Sequence, residues 1–185
     1  ESKQLGIVHA CWHQPSIDLL RNDKRGALEV YNQYYHHYIN KILPNTPNKV
    51  EQDLYKQNHN PIKIITSGLE SRLRPNEKPY YAGKQYSQKK KIIFGHYWRR
   101  GKVAPNVPEH LLNPQEKTGV PDLFNKNPDE WLGPQNSCMC IDYSVGRRFW
   151  ERHNQLPEGH TGSFLAALQI TNYNESFSYN LLFDN

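Results

Sequence analysis

Long apolar runs are missing from this chain of 185 residues. No stretch approaches the roughly 20 consecutive apolar residues of a membrane helix, and no secretory signal is read at its start. The expectation is a cytoplasmic protein with no membrane partner. Cysteine is scarce: Cys11, Cys138 and Cys140 make an odd set that excludes an even disulfide framework. Cys138-Met139-Cys140 alternates, so both thiols of that segment face one way. With no further ligand at zinc-like spacing, buried thiols in a reducing compartment are expected rather than a zinc site. Aliphatic residues are also few. Hydrophobic residues make up 36% of the chain, and Leu, Ile, Val and Phe together only about a fifth, close to the limit at which a core can close.

What is abundant is aromatic and basic. The 12 tyrosines and 4 tryptophans supply the large buried areas that the aliphatics do not. The formal charge of +5 favours anionic ligands without naming one. Its main cluster, Lys84 to Lys91, contains Lys89-Lys90-Lys91 and reads first as a solvated loop. An initiator Met is absent, and the chain enters a strand almost at once. The chain is therefore expected to be one domain over residues 1–185, the C-terminal portion of something longer.

Strands are expected over Leu5 to Ala10, Lys91 to Phe94, Cys138 to Ser144, Phe164 to Ile170 and Ser176 to Phe183. Ser16 is placed as the cap of a short helix running through Leu20. Lys24 to Leu43 repeats Ala27, Leu28, Tyr31, Tyr34, Tyr35, Tyr38, Ile39 and Ile42 at helical spacing. Pro44 and Pro47 stop it. Val50 to Asn58 is a further short helix, and Pro61 to Thr66 a buried segment of open type. Residues 71–88 read as loop or irregular hairpin. Gly101 to Asn136 carries six prolines and is expected to line or cover a site, pinned by Trp131-Leu132-Gly133.

The chemistry gathers at two histidines. Leu5-Gly6-Ile7-Val8 leads into His9, and Ile92-Ile93-Phe94-Gly95 leads into His96. A strand that delivers a polar residue at its carboxyl end is how open α/β sheets build sites. Neutral imidazoles suit first-row transition metals. Arg99 and Arg100 follow His96 and form either a phosphate fork or a surface pair. Asp142 is either an acceptor that orients a ligand histidine or an ordinary loop carboxylate. His13 and His160 carry weaker signals, His59 and His110 lie in polar loops and carry none, and His36 and His37 read as surface or packing residues.

Three segments carry a resemblance. Ile7-Val8-His9-Ala10, with Pro15 beyond, resembles the Val-His-Ala-Gly segment of the calcineurin-like metallophosphoesterases. Phe94-Gly95-His96-Tyr97-Trp98 resembles their later Gly-His segment. Cys140 to Gly146, followed by Phe164 to Leu168, is similar to their closing hairpin. The nearest branch is the bacterial phosphoprotein-phosphatase type, with the symmetrical diadenosine tetraphosphatases. The likeness spans residues 5–170 and is poor over 71–90 and 101–136.

The resemblance implies an α/β fold, the C-terminal part of a four-layer α/β/β/α sandwich. It implies a phosphatase with two divalent metal ions, drawn from Mn, Fe, Zn or Ni, with His9 and His96 as ligands of the second. It implies a phosphorylated substrate: a phosphoprotein, a dinucleoside polyphosphate or a small phosphoester. The family's D-x-H, G-D-x-x-D-R-G and G-N-H-E motifs belong upstream of His9 and do not occur here. The implied site is therefore incomplete in this chain, and the expected partner is an N-terminal portion in cis or in trans.

The competing expectation is a non-catalytic module. Tyr80, Tyr81, Tyr86 and Lys89-Lys90-Lys91 would then grip a phosphate-bearing partner such as nucleic acid. Nucleic acid is the lesser reading of the two.

Overall fold

Parallel pairing of three short strands organises the molecule, which is a computed structural model describing residues 5–70, 86, 88–97, 99, 130–156, 163–171 and 178–183. Strand β1 (Leu5–Ile7), β2 (Lys91–Phe94) and β3 (Cys138–Cys140) form a sheet in the order β1-β2-β3. Both pairings are parallel: Ile7 lies beside Ile93, and Ile93 beside Met139. The central strand is almost wholly apolar, as expected for a parallel strand covered on both faces. One face carries Ile92, Phe94, Cys138 and Cys140, closed by Tyr86 and Leu132, with Val8, Trp12 and Tyr97 packed against it. Gly6 admits no side chain because the Trp12 ring lies against it. All three cysteines are buried, and none is in a disulfide.

Helices form the other layer. Helix α1 is Gln14–Asn22, α2 Ala27–His37, α3 Lys49–Asn58 and α4 Pro61–Ser67. The segment expected to be one helix from Lys24 to Leu43 is divided. It runs as α2, then a π-helical turn over Tyr38–Ile42, then a 3-10 turn over Leu43–Asn45. The open segment Pro61 to Thr66 is helical. Asn60 caps it by accepting from the Ile62 N–H at 3.1 Å, and Pro61 occupies the first turn, where its missing N–H costs nothing. Asn48 caps α3 in the same way.

Two expectations are corrected. The cap of α1 is His13, not Ser16, which sits inside the first turn. The expected closing hairpin is not a ladder among the described residues: its arms meet where the Phe164 N–H donates to the Tyr143 carbonyl at 3.0 Å, while β3 pairs in parallel with β2 and β4 (Ala166–Thr171) pairs antiparallel with β5 (Ser178–Phe183) in a sheet of its own. Between β3 and β4 runs helix α5 (Arg147–His153), which the sequence reading did not anticipate.

Leu132 pins its loop as expected, exchanging backbone hydrogen bonds with Cys138 at 2.7 and 3.2 Å. Residues 101–129 of the proline-rich stretch, His110 among them, His160 and most of 71–88 lie outside the described residues. Among the described residues no helix is long and apolar enough to cross a membrane. The architecture is mixed α/β.

Candidate metal centre

Each strand of the parallel sheet ends two residues before a polar side chain: Ile7 before His9, Phe94 before His96, Cys140 before Asp142. Because the strands run the same way, these three residues gather along one edge, outside the carboxyl ends where open α/β sheets place ligands. The ladder continues past the strands to hold them there. The Gly95 N–H donates to the His9 carbonyl at 2.8 Å, and the Ile141 N–H to the Phe94 carbonyl at 2.9 Å.

The two imidazoles meet. Their ring centroids are 5.4 Å apart and tilted by 58°. Both residues are exposed, so the pair opens to solvent. His96 has φ 66°, and the Tyr97 N–H donates to the Gly95 carbonyl across it at 2.7 Å. That is a γ-turn of the strained hand. Partial burial pushes the His96 pKa below its ordinary 6.5; the neighbouring His9 lowers it further, and Asp142 opposes both. The neutral ring so favoured is the form that ligates metals.

Tyr97 backs the site and was not singled out in the sequence. Its ring stands edge-on to His96 at 5.4 Å and to Phe94 at 6.1 Å. Its hydroxyl donates to the Ser67 carbonyl at 3.5 Å and lies against Gly68, leaving no room there for a Cβ. Gly68 has φ 86°, which also reserves the position for glycine. Its carbonyl accepts from the buried Gln57 amide at 2.6 Å. The end of α4 is thereby locked beside His96. It is tied to the other histidine by the Ala10 N–H, which donates to the Ile65 carbonyl at 2.9 Å. The thiol of Cys11, next along, is pushed up to about 11 by burial, which keeps it protonated near neutral pH.

The remaining candidates fall as follows. The Asp142 carboxylate accepts from the Ser144 N–H at 3.0 Å, so its influence on His96 is through charge rather than a direct hydrogen bond. Arg99 is fully buried, its guanidinium 5.8 Å from the Tyr143 ring centroid and its N–H bonded to the Asp142 carbonyl. Neither a surface residue nor a group open to phosphate, it braces the loop that carries Asp142. Arg100 lies outside the described residues. His13 caps α1, and His59 stacks on Tyr55 at the end of α3 rather than in a loop. His36 and His37 are exposed, as expected.

Tyr86 is buried in the core, which withdraws it as a stacking platform for nucleic acid. Lys90 covers the Trp12 ring at 4.5 Å and Lys91 the Trp131 ring at 4.2 Å. Tyr80 and Tyr81 lie outside the described residues.

Among the described residues no group of three or more His, Cys, Asp or Glu side chains gathers to hold a metal ion. Two imidazoles by themselves are two of the four donors that a zinc-type site takes. Comparison of the chain with protein-family models, with curated proteins and with solved structures found no match.

Proposed function

We propose that this chain supplies His9 and His96 to the metal centre of a phosphoesterase, as two late ligands of a two-metal site in a four-layer α/β/β/α sandwich. The observation that supports this most directly is the imidazole pair, 5.4 Å between centroids at the ends of neighbouring parallel strands. The resemblance of the segments around both histidines to the metallophosphoesterases supplies the reaction class. Bound divalent cations would supply an activated water and neutralise charge on a phosphate ester. The chain's own part is narrower. His9 and His96 offer nitrogen lone pairs, Asp142 lends negative charge beside His96, and Tyr97 walls the ring from the core. Further ligands come from outside the described residues, in the same polypeptide or another. A phosphoprotein, a dinucleoside polyphosphate or a small phosphoester would serve as substrate.

Calorimetric titration with Mn²⁺ or Zn²⁺ tests the pair. Weak binding by the chain is expected, reduced about tenfold or more in His9→Ala and in His96→Ala. Unchanged affinity in both variants would remove the histidines from the metal. Hydrolysis of a generic phosphomonoester should stay at background for the chain alone, and robust turnover would overturn the claim that the site is incomplete.

A further inference from the structure

A second concavity lies in the helical layer, away from the strand ends. It encloses about 280 Å³ between α2, α3 and α4. Its α2 wall is a stripe of tyrosines. The rings of Tyr31 and Tyr35 stack at 6.0 Å and 12°, and Tyr38 follows at 6.4 Å. An ordinary amphipathic helix would place leucine or isoleucine on this face to close against its neighbours. Tyr38 opens the π-helical turn, and such turns are often found at functional sites. The facing wall is Tyr55 stacked on His59 at 3.8 Å, with the Lys56 ammonium 5.4 Å from the Tyr35 ring. Asn60 ties the two walls: buried, it donates to the Tyr31 carbonyl at 3.2 Å while capping α4.

Charge is one-sided in this pocket. Lys56 and Lys63 line it with His59, and none of its lining residues is Asp or Glu. Both lysines are half-buried, and neither forms an ion pair among the described residues. Ring faces accept a planar aromatic group by stacking. Ammonium groups without a local counter-charge favour an anion and oppose a cation. A neutral ring would leave both lysines unanswered. The volume falls just under the roughly 300 Å³ at which ligand pockets usually begin, so one ring system with one anionic group fits better than a dinucleotide.

We propose that this pocket binds a ligand that joins one planar aromatic ring system to one phosphate, directly or through a short linker. Two sources share that chemistry, a nucleoside monophosphate and the side chain of phosphotyrosine. The site is separate from the histidine pair and does not depend on the metal reading.

The test is calorimetric titration of the full chain, in EDTA, with 5′-AMP, phenyl phosphate, adenosine and inorganic phosphate in turn. Saturable binding of 5′-AMP or phenyl phosphate is expected, and the tighter of the two identifies the source. Tyr35→Ala and Lys63→Gln should each weaken it at least about fivefold, and added salt should weaken it further. Lys63→Gln alters a helix surface and keeps the test valid if Tyr35→Ala does not fold. Absence of binding by both ring phosphates overturns the proposal. So does adenosine or inorganic phosphate binding as tightly as they do, or binding that Lys63→Gln leaves unchanged.

Discussion

His96 occupies a backbone position that a side chain disfavours. At φ 66° in a γ-turn it carries strain on the order of 1–3 kcal/mol. The sequence pattern, strand then glycine then histidine, located the residue, and the strand does end just before Gly95. Gly95 is not among the positive-φ glycines, and a Cβ there would make only ordinary contacts with the His9 carbonyl and Asp142. The strain has moved one residue on, to the group with the chemistry. Glycine at 96 would adopt this turn at less cost. His96→Gly is therefore expected to be more stable than His96→Ala by about 1 kcal/mol, although both lose the imidazole. Urea denaturation of the two variants decides it. A His96→Gly protein that unfolds first would mean the turn is not strained.

Helix α1 shows how much of an element a short pattern conveys. Ser16 was the expected cap because its residue type prefers that position. The helix starts earlier because Pro15 suits the first turn and His13 takes the capping role. His13 Nδ1 accepts from the Ser16 N–H at 3.3 Å and contacts the Ser16 hydroxyl at 2.8 Å. Accepting requires the neutral ring. Burial holds the His13 pKa below 6.5, the value of the unfolded chain. As pH falls through 6.5 the unfolded chain takes up its proton first, so the cap's contribution is full above that pH and declines below it. His13→Asp keeps a capping acceptor that does not titrate near neutrality. Thermal melts at pH 7.5 and 5.5 should show a smaller loss on acidification in His13→Asp than in the parent. His13→Ala should cost about 1 kcal/mol at pH 7.5. Identical pH slopes in the parent and His13→Asp would show that the cap does not titrate.

Other elements divide along the same physical line. The period of Tyr31, Tyr35 and Tyr38 announced α2, yet nothing local announced the π-helical turn that follows. Pro61 to Thr66 stayed open because Ile62, Ile64 and Ile65 suit a buried strand as well as a helix. The Asn60 cap and Gly68 at the C-terminus settle it as α4. Helix α5 escaped because it is seven residues long and its N-cap is Gly146, which has no side chain to cap with.

At the scale of the whole molecule, strands were legible and their partners were not. Apolar runs marked β1, β2 and β3, but pairing is non-local, and no run states which neighbour it takes or in which direction. Nothing local announced the parallel pairing of β3 with β2, and of the expected hairpin between 140–146 and 164–168 the described residues show the Phe164 N–H donating to the Tyr143 carbonyl. That parallel arrangement, rather than any single motif, brings His9, His96 and Asp142 to one edge. It also leaves a mismatch across one face. Ile7, Ile93 and Met139 lie side by side, yet Ile93 and Met139 are 3% and 0% exposed while Ile7, on the edge strand, is 73% exposed. Ile7 therefore contributes stickiness and little stability. Ile7→Thr, which keeps a β-branched residue, should change unfolding free energy by less than about 0.5 kcal/mol and reduce light scattering at high protein concentration. Ile93→Ala should cost about 2–5 kcal/mol. A comparable loss in Ile7→Thr would mean that β1 is covered in solution, by another strand or another copy.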